Sequence, residues 1–508
     1  MTRALTPEQA EIKAQFLSHS CLIVEAGPGC GKSTTLGWCA ATIPTDLRAQ
    51  TKATAFNKDA VAALDGKLPA GLHAKTINAM GYEIWRATVP FCKVNLDKTK
   101  ELIAAIRSDG RYSIAPDEYM DVIGLVSMAK SQGYIPPKSG AIPLANPPSF
   151  QDICNLADVR ANSYLNLILD LILSMSIKAS FEGDIDLDDQ IYMSALFAPF
   201  AAYPKTSILI VDEAQDLTPL QLRLLQRLKS PHNIFVGDPL QAIYGFRGAM
   251  SNAMAQIKTF WPEAKTLPLQ TSFRIPQSVC RLLQSHNPLL TTAKSDEGQI
   301  LQPVESNTID KLIPSDTVSR AILCRNNAPL YRVALACIAS QVPYRIGNNG
   351  FGSQLIRLIK KAGSQTTPAI RIVPLVGQLI SDEDPAKSDK LAALALMAER
   401  CSTAKEMIDE ITKLNAQGNK SVSAKPLFLS TAHKAKGLEF QWVAHLDSFL
   451  IPAKYATTPD QLQQEANIAY VINSRALQSL VFLNSDQITI PGSSARKGRP
   501  TTSYNQPV

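Results

Sequence analysis

The sequence predicts an α/β protein with two parallel sheets, each interrupted by a mostly helical insertion. Three observations carry this. Short apolar runs end at polar or Gly-rich turns: LIVEA from Leu22, SILIV from Ser207, NIFVG from Asn233, AILC from Ala321, LFLS from Leu427, WVAHL from Trp442 and LVFL from Leu480. Helical patterns lie between them, as in parallel α/β sheets. The runs also form two groups, one before about Phe260 and one after about Thr266.

In chain order, residues 1–85 and 191–265 form the first sheet domain, with a helical insertion at 86–190. The second comprises 266–351 and 426–490, with a shorter helical insertion at 352–425. Within the first insertion, YIPPKSGAIPLANPP, residues 134–148, has the Pro content of a loop. The breaks SDEDPAKSD and NAQGNKSVSAKP divide the second. The tail from Pro491, rich in Pro, Ser, Thr and Gly, is expected to be disordered.

A length of 508 residues suggests about three to four domains. Lys and Arg number 51 against 44 Asp and Glu, a formal charge of +7. That excess is compatible with a polyanion partner but common without one. Nine cysteines, no C-x-x-C pair and no His cluster argue against a disulfide framework or a zinc site and for a reducing compartment. The start, MTRALTPEQAEIKAQF, has no apolar signal core. The apolar stretch Ser163–Ile177 carries Asn166 and Asp170 and reads as a buried helix, too short to span a bilayer. The expected location is intracellular: cytoplasmic and nucleoid-associated, in the host cytoplasm if phage-encoded, or nuclear in a eukaryote.

The segment VEAGPGCGKSTT, Val24–Thr35, follows the first apolar run. Backbone N–H groups from Gly27 to Lys32, Pro28 excepted, suit a phosphate cradle at a helix start, and the nucleotide-binding segment takes in Ala26, Gly27, Pro28, Gly29, Cys30, Gly31, Lys32, Ser33 and Thr34. Lys32 supplies charge to the outer phosphates of a nucleotide, and the Ser33 hydroxyl suits Mg²⁺. A Gly-rich turn with a chance Lys-Ser is the ordinary alternative. SILIVDEAQD brings Asp212 and Glu213 to a strand's carboxyl end, Asp212 for Mg²⁺ and Glu213 to polarise the attacking water. Strands often surface into acidic residues, so the pair gains meaning from the phosphate loop. VGDPLQAIYGFRGA supplies Gln241 to sense the terminal phosphate, and Tyr244, Phe246 and Arg247 for base stacking and phosphate pairing. A core aromatic is the ordinary alternative for Phe246. Cys30, in the phosphate loop, is either a thiol activated by the helix end or a small filler.

DEAQD, GDPLQAIYGFRGA, SFRIPQS, STAHKAKGLEF and AYVINSRA occur in the order found in superfamily-one helicases, and the chain resembles the UvrD/Rep/PcrA group of that superfamily from Leu5 to about Leu483. The wording of GDPLQAIYGFRGA and AFNKDA is closer to the F-box-helicase-like branch. The resemblance implies two RecA-like P-loop NTPase domains with ATP between them, and translocation 3′ to 5′ on single-stranded DNA. It gives Gln9, in LTPEQ, the adenine edge, and Phe273 the place of a stacking Tyr. Arg274 and Arg475 would come from the second domain to the γ-phosphate, with Glu439 near the ribose or γ-phosphate. Thr54, Phe56, Asn57, Thr76, Asn78, Phe246, His433 and Lys436 would line the single-strand path. AFNKDA displaces the family's aromatic by one position, and Asn78 stands where a His is usual. The implied partners are single-stranded DNA, single/double-strand junctions, and replication or repair proteins; no membrane partner is expected. A protein-displacing translocase, the motor of a helicase–nuclease complex and a nucleotide-binding scaffold are the competing classes.

Overall fold

A computed structural model describes residues 4–114, 118–157, 159–245, 248–250, 252–303, 305–347, 349–380, 386–417 and 425–491. Phe246, Arg247 and all but the first residue of the expected disordered tail lie outside these. The chain divides into two compact units. The first takes in residues up to Gly298 together with Ile451–Ser474; the second holds Gln299–Leu450 and the chain from Arg475.

The first unit is organised on strands β1 (Cys21–Ala26), β2 (Thr51–Ala55), β3 (Ala74–Thr76), β4 (Ile208–Val211), β5 (His232–Gly237) and β6 (Lys265–Leu269). They pair in the order β3-β2-β4-β5-β1-β6, every pair parallel. Both faces of the central strands are covered, so they are apolar almost throughout: Leu22 to Val24, Ile208 to Val211 and Ile234 to Val236 are buried. Helices α1 (Pro7–Gln15), α2 (Lys32–Ala41), α3 (Lys58–Asp65) and α4 (Ile77–Thr88) accompany the first three strands. Thr6 and Gln9 form a reciprocal capping box with Pro7 at the first helical position, which fixes where α1 begins.

Four helices, Lys98–Asp109, Tyr119–Gln132, Phe150–Ala157 and Ser163–Phe181, form the expected helical insertion around Ile103, Leu125, Ile153, Leu169 and Ile172. Ser163–Phe181 is long and apolar enough to cross a membrane by length and composition. Its Ile168, Leu169, Ile172 and Leu173 instead pack into this helical core. The Pro-rich stretch 134–148 is without helix or strand, as its composition implies. The insertion returns through a buried charge cluster. Lys98 Nζ lies 2.6 Å from Asp189 Oδ2, and Lys130 Nζ lies 2.7 Å from both Asp186 Oδ2 and Asp189 Oδ1. Every ammonium there has a carboxylate, the condition for burying such groups.

In the second unit, β7 (Gln299–Leu301), β8 (Arg320–Cys324), β9 (Tyr344–Ile346), β10 (Leu427–Thr431), β11 (Phe440–Leu446) and β12 (Ala476–Leu483) pair in the order β7-β12-β11-β8-β10-β9, again parallel. Its insertion consists of Asn349–Ala362, Ala369–Leu379, Lys387–Ala398 and Ala404–Gln417. Leu355, Ile372, Leu394 and Ile411 share one apolar core with Ile322 and Leu429 of the sheet. Asp389 in the insertion also accepts from the backbone N–H of Asn327 (2.9 Å) and Ala328 (2.7 Å), capping the helix Ala328–Ala339.

Two parallel sheets with helical insertions match the α/β expectation. The boundary expected at 265/266 does not hold, because it cuts β6, which pairs with β1. The first unit continues to Gly298, and residues 451–474 leave the expected second domain to join it. There Asn467 Nδ2 donates to Pro239 O (3.3 Å) and Ala242 O (3.0 Å).

Candidate nucleotide and nucleic-acid site

β1, β5 and β4 are neighbours in the first sheet and all point the same way. The segments leaving their carboxyl ends therefore meet: the Gly27–Lys32 loop, Asp238, and Asp212 with Glu213. This is where ligands bind in open parallel sheets. Ser33 Oγ donates to Asp212 Oδ2 at 2.7 Å across 179 residues of sequence. Lys32 Nζ pairs with Glu213 Oε1 at 3.1 Å. Asp212 Oδ1 also accepts from Glu213 N at 2.9 Å.

The loop itself is held from above. Ser272 Oγ donates to Pro28 O (2.6 Å) and Phe273 N to Gly29 O (3.0 Å). Gly29 has φ 73°, and a Cβ there would sit 2.3 Å from Arg274 Cβ. Only glycine meets both the left-handed backbone and the close approach. Near Gly31, a Cβ would meet Gln9 Nε2 at 3.3 Å and the Phe273 ring at 3.9 Å. The expected adenine-reading pair thus flanks the loop. Gln9 Nε2 donates to Cys30 O (3.5 Å), and Gln9 Oε1 accepts from Thr6 N (3.1 Å). Ala26 ends β1, and Thr34 is half-buried in the first turn of α2.

Burial shapes the electrostatics. Asp212 is 2% exposed, and burial together with the Glu213 charge pushes its carboxyl from 3.8 to about 6, against the pull of Lys32 and the Ser33 hydroxyl. Burial likewise pushes Asp238 up to about 6, with Lys32 and the Gln241 hydrogen bond opposing. For Lys32, burial disfavours the ammonium, but Glu213, Asp212 and Asp238 outweigh it and raise its pKa above the ordinary lysine value. The Ser33 hydroxyl and Asp212 carboxylate are hard oxygen donors of the kind Mg²⁺ takes, and they fit such an ion.

One expectation for this region is corrected, and one alternative is favoured over the other. Arg274 does not come from the second unit: its chain follows β6, in the first sheet, and it lies on the phosphate loop of its own unit. Of the two readings of Cys30, the surroundings favour the small filler. It is fully buried, and burial raises its pKa well above the ordinary thiol value despite Lys32.

At the same edge of the sheet, the Phe56 and Tyr244 rings stack with centroids 5.5 Å apart and planes 17° apart. Asn57 Oδ1 accepts from Ala60 N (2.8 Å), capping α3, and Thr76 Oγ1 accepts from Ala79 N (3.1 Å), capping α4. Because β2 and β3 are adjacent and parallel, with Ala55 opposite Thr76, these two helix N-termini open side by side. Asn78 Nδ2 donates to Leu187 O (2.9 Å). Thr54 is corrected: it is fully buried within β2, between Lys75 and Val211 on the neighbouring strands, so its side chain lines no surface path.

His433, Lys436, Glu439 and Arg475 belong to the second unit. There Phe440 N donates to Arg475 O (3.1 Å), and the buried Arg475 reaches Leu438 O through Nη1 at 3.4 Å. The residues that sequence reasoning missed are Gln215 and Asp238 in the site, and Glu8 and Ser272 beside it. Glu8 accepts from Gln270 N (3.1 Å) and Thr271 N (3.1 Å), joining α1 to the chain after β6. Asp238 had a usable signal: like Asp212, it follows directly on an apolar strand.

Comparison with known proteins agrees with this geometry. The AAA domain family matches residues 9–247, the UvrD-like helicase C-terminal domain residues 380–487, and the viral superfamily 1 RNA helicase core domain residues 179–332. The F-box DNA helicase protein 1 of Schizosaccharomyces pombe is 27% identical over 56% of this chain and 34% of its own length. The ATP-dependent DNA helicase PcrA of Leuconostoc citreum is 24% identical over 55% of this chain and 38% of its own. The ATP-dependent DNA helicase Rep of Buchnera aphidicola is 27% identical over 32% of this chain and 30% of its own. The chain thus matches between 30% and 38% of the length of these relatives.

Proposed function

We propose that this chain, which is similar to superfamily-one helicases of the UvrD/Rep/PcrA type, is one of them: an ATP-driven DNA helicase that moves 3′ to 5′ along single-stranded DNA. The observation that carries the ATPase half is the pairing of Ser33 with Asp212 and of Lys32 with Glu213 at the carboxyl edge of one sheet. Mg²⁺ bound by Ser33 and Asp212 would supply charge to the phosphates of ATP. Lys32 exchanges Glu213 for phosphate. Glu213, released from that pair, orients the attacking water. Arg274, from the segment lying on the loop, adds positive charge near the phosphates.

The nucleic-acid half is supported by the stacked Phe56 and Tyr244 and by the two helix N-termini capped by Asn57 and Thr76. Aromatic faces take bases irrespective of sequence, and helix N-termini favour phosphate oxygens. His433, Lys436 and Arg475 extend the assignment to the second unit by family resemblance. Replication or repair proteins are the proposed partners, and the cytoplasm, or the nucleus in a eukaryote, is the proposed setting.

Strand displacement on 3′-tailed and 5′-tailed duplexes tests the proposal. ATP-dependent opening of the 3′-tailed substrate is expected; preferential opening of the 5′-tailed one rejects the polarity. ATP hydrolysis indifferent to single-stranded DNA rejects the motor.

A further inference from the structure

Gln215 is 1% exposed and stands between the acidic pair and the end of β5. Its Nε2 donates to Glu213 Oε2 at 2.6 Å and lies 3.4 Å from Asp216 Oδ2. Its Oε1 accepts from Asp238 N at 3.0 Å. Room for this side chain is made by Gly237, where a Cβ would lie 2.6 Å from Gln215 Oε1 and 2.9 Å from Gln215 N. A glycine inside a strand marks such a close approach.

The chain continues outward from Asp238. Gln241 Nε2 donates to Asp238 Oδ2 at 2.6 Å. Asn467 holds the carbonyls of Pro239 and Ala242. Two residues beyond Ala242, Tyr244 stacks on Phe56. Glu213 has φ 55° and ψ 41°, a left-handed backbone that non-glycine residues adopt uncommonly. Its side chain therefore lies outside the regular strand geometry, and Gln215 helps to fix it.

We propose that Gln215 is a positioning residue: it orients the Glu213 carboxylate and ties it to the turn after β5, so that displacement of the Tyr244 segment is felt at the water-activating group. This rests on the role given to Glu213 above. The alternative is that Gln215 only fills space. A contiguous set of hydrogen bonds is a physical route for coupling, and its reality is decided by perturbation.

The test is Gln215→Met, which keeps length and approximate volume but cannot donate, beside Gln215→Ala, which leaves room for water. Affinity for trinitrophenyl-ATP, read without turnover, should stay within about twofold of wild type, since the lost bonds are made to Glu213 and to Asp238 N and not to nucleotide, while melting temperature falls by a few degrees because those buried groups lose a partner. The kcat for ATP should fall about tenfold or more with KM unchanged, the size expected for losing a hydrogen bond to a charged group. Stimulation by single-stranded DNA should fall towards onefold. Added to Glu213→Gln, the Met substitution should cost little more, because both act on one carboxylate. Wild-type kcat and stimulation in both variants overturn the proposal, as does a parallel loss of melting temperature, nucleotide affinity and kcat in both. A wild-type protein with no ATPase rejects the functional reading itself; an active wild type with unaltered variants rejects only the role of Gln215.

Discussion

Replacing Asp212 by Asn separates the cost of burying a carboxylate from its use as a metal ligand. The Asn oxygen can still accept from Glu213 N, and its Nδ2 then donates to the Ser33 hydroxyl, which turns to accept, so both contacts are kept. In the folded chain the Asp212 carboxyl is pushed from 3.8 to about 6, above its unfolded value. The group therefore favours folding fully below about pH 4, and that contribution is lost as pH rises through about 6. The difference is worth about 3 kcal/mol at 1.36 kcal/mol per pH unit. Asn is neutral throughout and escapes this loss. Without nucleotide, Asp212→Asn should be more stable than wild type at pH 7.5 by up to about 3 kcal/mol, a rise of about 5 °C in melting temperature. The gain should be roughly half as large at pH 5 and small at pH 4. Adding Mg²⁺ and ATP should reverse the order, because the variant lacks the ionised oxygen. Thermal melts at several pH values, with and without nucleotide, measure this. A pH-independent difference, or an Asn variant less stable at pH 7.5 without nucleotide, refutes the reasoning.

Lys32→Ala should abolish productive nucleotide binding, whereas Glu213→Gln should bind Mg-ATP and lose turnover; a Gln variant hydrolysing at the wild-type rate in a coupled assay would reverse the assignment. Tyr244→Ala should weaken single-stranded DNA binding by about 1–3 kcal/mol in fluorescence anisotropy, with DNA-independent ATPase retained. Equal losses of melting temperature and every activity would show that the ring is only a packing element. Cys30, fully buried with its thiol pKa raised, should resist iodoacetamide in the native protein, and mass spectrometry showing it labelled before the half-buried Cys401 would contradict this. Asp189→Ala, which strips partners from Lys98 and Lys130, should destabilise the first unit by about 3–5 kcal/mol while leaving nucleotide affinity unchanged; an unaltered melting temperature would disprove it.

The strands and the phosphate loop were legible because each is a local pattern: an apolar run, then Gly-rich or acidic residues at its end. Asp212, Glu213, Lys32 and Ser33 follow from that pattern directly. Thr54 did not, because motif resemblance assigns a whole segment to a surface, while β2 lies between β3 and β4 and is buried at Ala53, Thr54 and Ala55 alike. The unit boundary failed for a related reason. Lys265–Leu269 has the apolar character of a strand in either sheet, and only its register against Leu22–Ala26 decides which. Gln215 was invisible as a functional group, since the Asp238 amide, which ties it to the turn after β5, meets it through the adjacency of β4 and β5 rather than through spacing in the chain.

The helix Pro459–Asn473 counts with the first unit although the chain between Gln299 and Leu450 does not. During synthesis, Pro239 and Ala242 therefore emerge long before Asn467, whose amide their carbonyls accept. At about 5–20 residues per second, the ribosome needs roughly ten to thirty seconds to pass from residue 298 to residue 474. Through that interval the nascent first unit holds its phosphate loop but not the helix that braces the turn after β5. Completion of the catalytic half is thus timed by translation of most of the other half, and release of a chain stopped at Gly298 would leave that turn without its brace.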